Sequence, residues 1–88
     1  MLFDLGNTRT QAFWMKGMRF ALDFVWIAGD KRVVAVTADV PPQPGAPDTE
    51  LRLYSSPQPV RYVLEINSGA GVRLGIDTGT QLSFDTPE

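Results

Sequence analysis

Apolar positions recur every second residue over much of this chain, with β-branched and aromatic side chains set between turn formers, which is the signature of strands. Phe20–Ile27 and Arg32–Val40 are the clearest pair. They flank Ala28-Gly29-Asp30-Lys31, whose Gly-Asp centre is a hairpin signal, with Gly29 able to take positive φ. A tight turn there sets Trp26 opposite Val33, Phe24 opposite Ala35 and Leu22 opposite Thr37. The other side then carries Asp23, Val25, Ile27, Val34 and Val36. Both faces are largely apolar, so the hairpin is predicted to be central in its sheet and covered on both sides.

Shorter strands are predicted at Gln11–Met15, Leu51–Tyr54 and Gln81–Phe84, and a longer one at Val60–Ile66. In the last of these, Val60, Tyr62, Leu64 and Ile66 face inward, Arg61 and Glu65 outward, and Val63 is an apolar exception on the outer side. Pro41–Asp48 holds four prolines in eight residues and reads as an extended surface loop, partly polyproline II. Asn67 or Ser68 is expected to cap a short helix that runs through Val72, Arg73 and Leu74 and closes at Gly75. Gly69 and Gly71 cost that helix about 1 kcal/mol each relative to Ala, so it depends on tertiary contacts. Leu2, Phe3 and Leu5 are core-type residues at the very start, followed by a Gly6-Asn7 turn signal. A chain opening this way has a very short first strand or lacks its beginning. The expected fold is mainly β: a compact antiparallel sandwich- or barrel-like single domain over 1–88 with one short helix near residues 68–74.

Composition narrows the chemistry. The chain has 88 residues, enough for one small domain. It contains no His and no Cys, which removes disulfides, thiolate nucleophiles, imidazole bases and Cys/His zinc sites. The net charge of −2 removes the electrostatic footprint that phosphate backbones usually require, and no nucleic-acid partner is expected. No apolar run is long enough to span a bilayer, and no signal-peptide pattern is visible. Only oxygen ligands are available for metals, and Asp77-Thr78-Gly79-Thr80 is too sparse for a calcium loop. No metal or cofactor is expected. Gly69-x-Gly71-x-x-x-Gly75 matches neither a phosphate loop nor a dinucleotide fingerprint.

Phe13-Trp14-Met15-Lys16 and Leu22-Asp23 stand upstream of Pro41, Tyr54-Ser55-Ser56-Pro57, Arg61-Tyr62-Val63-Leu64-Glu65, Gly69, Gly75-Ile76 and Gly79. This ordered series resembles the DUF192, or UPF0127, family of uncharacterised bacterial and archaeal proteins, over roughly Phe3 to Phe84. The resemblance implies a compact β-rich domain, often exported or periplasmic, with no established activity. It also implies that family members carry about forty further residues before Met1, so that strand edges left open here are expected to promote self-association. Three positions depart from the family pattern: Gly17 where Asn is usual, Ala21 where Pro is common, and Thr80 where Asp typically follows Gly79.

Five residues are candidates for a site. Asp23 projects among aliphatic neighbours, where an unpartnered carboxylate is costly. It is either a general acid or ligand-binding carboxylate, or a structural anchor bonded to backbone amides or paired with Lys16, Arg19 or Arg61. Glu65 offers a second carboxylate, suited to glycoside hydrolysis only if it shares a cleft with Asp23 at about 5–9.5 Å. Trp14 and Lys16 share one face of their strand; an exposed Trp beside a Lys suits a sugar or aromatic ligand, although such a Trp is more often core. Tyr54 extends that patch. The reading is a non-enzymatic binding or interaction module for a carbohydrate-like or other small ligand, with a cleft at Trp14, Lys16, Asp23 and Tyr54. A hydrolase using Asp23 and Glu65, and a structural accessory domain, are the alternatives.

Overall fold

The computed structural model describes residues 1–85. Strands β1 (Leu2–Arg9), β2 (Ala12–Phe13), β3 (Leu22–Ile27), β4 (Val33–Val40), β5 (Tyr54–Ser55) and β6 (Val60–Asn67) precede one turn of α-helix, α1 (Ala70–Arg73), and a 3-10 turn at Asp48–Glu50 stands between β4 and β5. Four of them form an antiparallel sheet in the order β1-β6-β3-β4, and β2 pairs with β5 in a second, two-stranded sheet. The mainly β class and the short helix agree with the sequence pattern.

The strand β3 sits inside the sheet, and all six of its residues are buried. Alternation sends Leu22, Phe24 and Trp26 to one face, where they pack with Met15, Val40, Val60 and Val63. The half-buried Phe13 and Tyr54 of the small sheet close that layer. Val25 and Ile27 point the other way and pack with Val33 and Tyr62 under Ile76, Leu82 and Phe84. One face of the main sheet is therefore covered by a second sheet, and the other by α1 and the chain that follows it. This two-sided burial also corrects the reading of β6. Val63 is no outward exception; it is fully buried beside Trp26, because β6 lies between β1 and β3.

The β3–β4 hairpin differs from its expected register. Ile27 pairs with Val33, Trp26 with Ala35, Val25 with Val36 and Phe24 with Thr37. The turn is one residue longer than a tight pair: Lys31 N–H donates to Ala28 C=O, and Lys31, not Gly29, takes positive φ at 68°. A three-residue loop ending in a left-handed residue is the next commonest hairpin solution. Two bulges follow in β4, one at Val34 and one where Ala38 and Asp39 together face Asp23. Asp39 has φ 55°, a left-handed conformation that Asp tolerates better than most residues.

Other boundaries also move. The first strand is eight residues long, and Gly6 (φ 83°) is a bulge within it, with its N–H held by Asp4 Oδ1 at 2.9 Å. The expected strand at Leu51–Tyr54 forms only at Tyr54–Ser55. Gln81–Phe84 is not a strand either: Gln81 makes a single bridge to Arg32, and Leu82 and Phe84 serve as half-buried cover for the second core face. The proline-rich loop is tied at its base by Gln43, whose side chain accepts from Arg52 N–H and donates to Glu50 C=O.

Candidate functional site

Asp23 is 1% exposed, and its carboxylate is filled by backbone donors. Asp39 N–H donates to Oδ1 at 2.8 Å, while Gly69 and Gly71 N–H donate to Oδ2 at 3.2 and 3.0 Å. Each donor has a local cause. The bulge at Ala38–Asp39 turns one β4 amide toward the sheet interior. The left-handed Gly69 at the start of α1 (φ 86°) leaves the orphan amides of the helical turn facing Asp23. No side chain at Asn67, Ser68 or Gly69 caps α1. The expected local cap is replaced by a carboxylate 48 residues away in sequence, which performs the same task. Gly71 packs closely on the carboxylate: a Cβ there would lie 3.1 Å from Asp23 Oδ2, near enough that the carboxylate would have to shift by a few tenths of an ångström. Ser68 Oγ donates to Asp39 Oδ1 at 2.7 Å and ties the β4 bulge to the turn entering α1.

At its far end α1 stops as its sequence requires. Gly75 is left-handed (φ 71°), its N–H reaches Val72 C=O, and Ile76 N–H reaches Gly71 C=O. This paired pattern is a Schellman closure. It sends Ile76 back over the sheet and leaves a cleft of about 340 Å³ between the end of β4 and the α1 turn. Val36, Ala38, Val72 and Ile76 supply its apolar walls, with Asp23 and Asp77 as its carboxylates; among the described residues no basic side chain lines it. Val72 is 83% exposed and stands at the outer rim. Asp77 is also exposed, its loop held by Asp77 N–H to Thr80 Oγ1 and Thr78 N–H to Asp77 Oδ1.

The five sequence candidates do not share this cleft. Trp14, Lys16 and Tyr54 gather around the β2–β5 sheet, on the Phe24 side of the main sheet. Trp14 is 40% exposed rather than core, Met15 takes the buried position beside it, and Lys16 Nζ lies 5.5 Å from the Trp14 ring centroid. Lys16 also pairs with Asp48 at 2.9 Å. The Tyr54 ring stands edge-on to Phe24 and beneath the Arg52 guanidinium. Asp23 faces the opposite side of the sheet and lines the cleft by α1. Glu65 is placed differently again. It pairs with Phe24, whereas Asp23 pairs with Ile66, so the two carboxylates project from opposite faces of one sheet. This register does not bring Asp23 and Glu65 together as the paired carboxylates of the hydrolase alternative. Burial raises the Glu65 pKa above its ordinary value, and the nearby N-terminal ammonium opposes that rise.

Sequence reasoning missed Val36, Ala38, Val72, Ile76 and Asp77 as one lining. The available clue was Gly69-x-Gly71 downstream of a carboxylate in an aliphatic strand, a pairing that signals backbone amides closing on an acid. Among the described residues no buried side-chain polar atom lacks a hydrogen-bond partner, and no cluster of three or more acids forms. Nor is any helix among them long and apolar enough to cross a membrane.

These features define a two-layer antiparallel β domain in which one buried carboxylate positions a helical turn over an edge cleft. Residues 1–84 match the family model DUF192, described as "Uncharacterized ACR, COG1430". The chain belongs to the DUF192 family. Among solved structures it is similar to a protein from Sinorhizobium meliloti 1021 described as a "putative transcription regulator". That likeness has 38% identity and a TM-score of 0.77, and covers 90% of this chain and 57% of the other. It is also similar to a protein of unknown function from Novosphingobium aromaticivorans DSM 12444, with 28% identity, a TM-score of 0.81, and 96% and 56% coverage. The chain thus spans a little over half the length of these two structures. No curated protein matches it.

Proposed function

We propose that this domain is a non-enzymatic binding module whose site is the cleft between the end of β4 and α1. The observation that carries the reading is the lining itself: four apolar side chains, two carboxylates and no basic group around about 340 Å³. That volume lies at the small end of ligand pockets. Its chemistry fits a ligand with an apolar body and a positively charged end. Asp77, at the mouth, is the carboxylate that meets the charge; Asp23, filled by three amides, acts as a positioning residue that sets the cleft wall. Two charged groups on opposite faces of the sheet favour binding over acid–base chemistry.

The regulator description of the Sinorhizobium relative is not extended to this chain as nucleic-acid binding. The net charge is −2, and Lys16 and Arg61 are engaged by Asp48 and Asp4. A carbohydrate-like ligand would instead stack on the exposed Trp14 ring, with Lys16, Tyr54 and the half-buried Glu65 as further candidate contacts.

Titration of ¹⁵N-labelled protein with leucinamide, an isobutyl group bearing an ammonium, tests the cleft. Amide shifts centred on Val36, Ala38, Val72, Ile76 and Asp77 are expected. No shifts at these amides at about 10 mM ligand, a concentration that detects even millimolar affinity, would overturn it. Shifts of the Trp14 indole with N-acetylglucosamine, and none at the cleft with leucinamide, would move the site to the other face.

A further inference from the structure

Beside the cleft runs a sheet edge that, among the described residues, is paired at its beginning alone. In the order β1-β6-β3-β4, β4 is terminal, and every second residue of a terminal strand turns its backbone N–H and C=O away from its neighbour. Among the described residues, the chain's own backbone fills the beginning of this edge. Val33 N–H donates to Thr80 C=O, Gly79 N–H donates to Val33 C=O, and Leu82 N–H donates to Lys31 C=O. Past Val33, no strand among the described residues pairs with the outer edge, up to the bulge at Asp39. Val36 and Ala38, which belong to this open stretch, are also two of the apolar walls of the cleft.

We infer that the cleft's occupant is an extended peptide segment that adds as a strand to the outer edge of β4 between Val34 and Ala38. This rests on the cleft being the binding site and adds the class of ligand. Three observations converge on it. Segment 79–82 already lies against the same edge, so the edge accepts extended backbone. Side chains alternate along a strand, so one apolar residue of an added segment enters the space between Val36, Ala38, Val72 and Ile76 while its neighbours stay outside. Asp77 lines the cleft and no basic side chain among the described residues does, which selects a basic residue two positions from the apolar one, on the same face of the added strand. Main-chain hydrogen bonds supply affinity in this mode, and the cleft and carboxylates supply specificity. The bulge at Asp39 breaks the ladder and limits the added strand to a few residues.

The test uses the acetylated and amidated pentapeptide Lys-Val-Leu-Val-Lys, measured by isothermal titration against the whole chain. Two further versions are N-methylated, one on both Val nitrogens and one on the Leu nitrogen. In an added strand only one of these alternating sets faces β4. One methylated version is expected to lose at least about tenfold in affinity while the other keeps that of the parent. Replacing both Lys by Glu is expected to weaken binding by a similar factor. If both methylated peptides bind like the parent, strand addition is overturned, while leucinamide shifts at Val36, Ala38 and Val72 leave the cleft reading standing. If the pentapeptide and leucinamide both fail to bind, both readings fall together.

Discussion

Asp23 shows how one buried carboxylate can tie two separate backbone segments together. Its three amide donors come from two separate segments, so its loss removes several charge-assisted hydrogen bonds and strands buried N–H groups at once. Asp23→Ala is expected to cost about 3 kcal/mol, read from urea midpoints at constant m-value. Gly71→Ala places a methyl 3.1 Å from the same oxygen and is expected to cost about 1–2 kcal/mol by overpacking. Combining the two should show strong non-additivity, since the clash partner is gone; full additivity would contradict the contact. The sequence made Asp23 legible as a buried carboxylate needing partners, because it alternates with Val25 and Ile27. It did not make the partners legible, because two of the three are glycine amides that carry no side-chain signal.

At the scale of elements, the edge strand β1 is fastened to β6 by Asp4 and Arg61, whose Nε–Oδ1 distance is 2.7 Å. The hydrogen bond from Arg61, assisted by that from Gly6 N–H, holds the Asp4 pKa below its ordinary 3.8. A lowered carboxylate pKa contributes stability that is present above 3.8 and lost as pH falls through the lowered value. Glu65 runs the other way: burial holds it above 4.5, so its contribution is present below 4.5 and lost as pH rises through the raised value. Asp4→Asn is therefore expected to flatten the acid limb of a stability–pH curve, and Glu65→Gln to flatten the decline above 4.5. Denaturant midpoints across this range check both signs. Strand identities were mostly readable from period-two alternation. Registers were not, because the extra residues at Val34 and Asp39 in β4 obey turn and bulge geometry rather than hydrophobic pattern.

For the molecule as a whole, the main sheet is sandwiched, and its second cover is α1 with irregular chain rather than sheet. Phe84 stands edge-on to Tyr62 at 5.1 Å, and Lys31 Nζ donates to Phe84 C=O. Phe84→Ala is expected to cost about 1–2 kcal/mol, less than a fully buried Phe, because the residue is only partly buried. Its measure is the thermal midpoint. The apolar residues at 82 and 84 suggested a strand, yet the same residues satisfy the core from an irregular cover; composition alone does not separate the two. Self-association through open edges is a further proposal for the whole molecule. Both outer strands carry bulges, at Gly6 in β1 and at Val34 and Asp39 in β4, which confine strand pairing to short stretches. Light scattering across a concentration series tests it, and a clean monomer at high concentration would end it.

Everything proposed for the cleft depends on Asp23 holding the β4 bulge and the α1 turn together. Native-state hydrogen exchange at the Asp39, Gly69 and Gly71 amides measures that grip directly. Protection of the Asp39 and Gly71 amides comparable to that of the buried strand β3 is predicted, with its loss in Asp23→Asn. Exchange of those two amides as fast as that of the exposed Gly45 loop would contradict it.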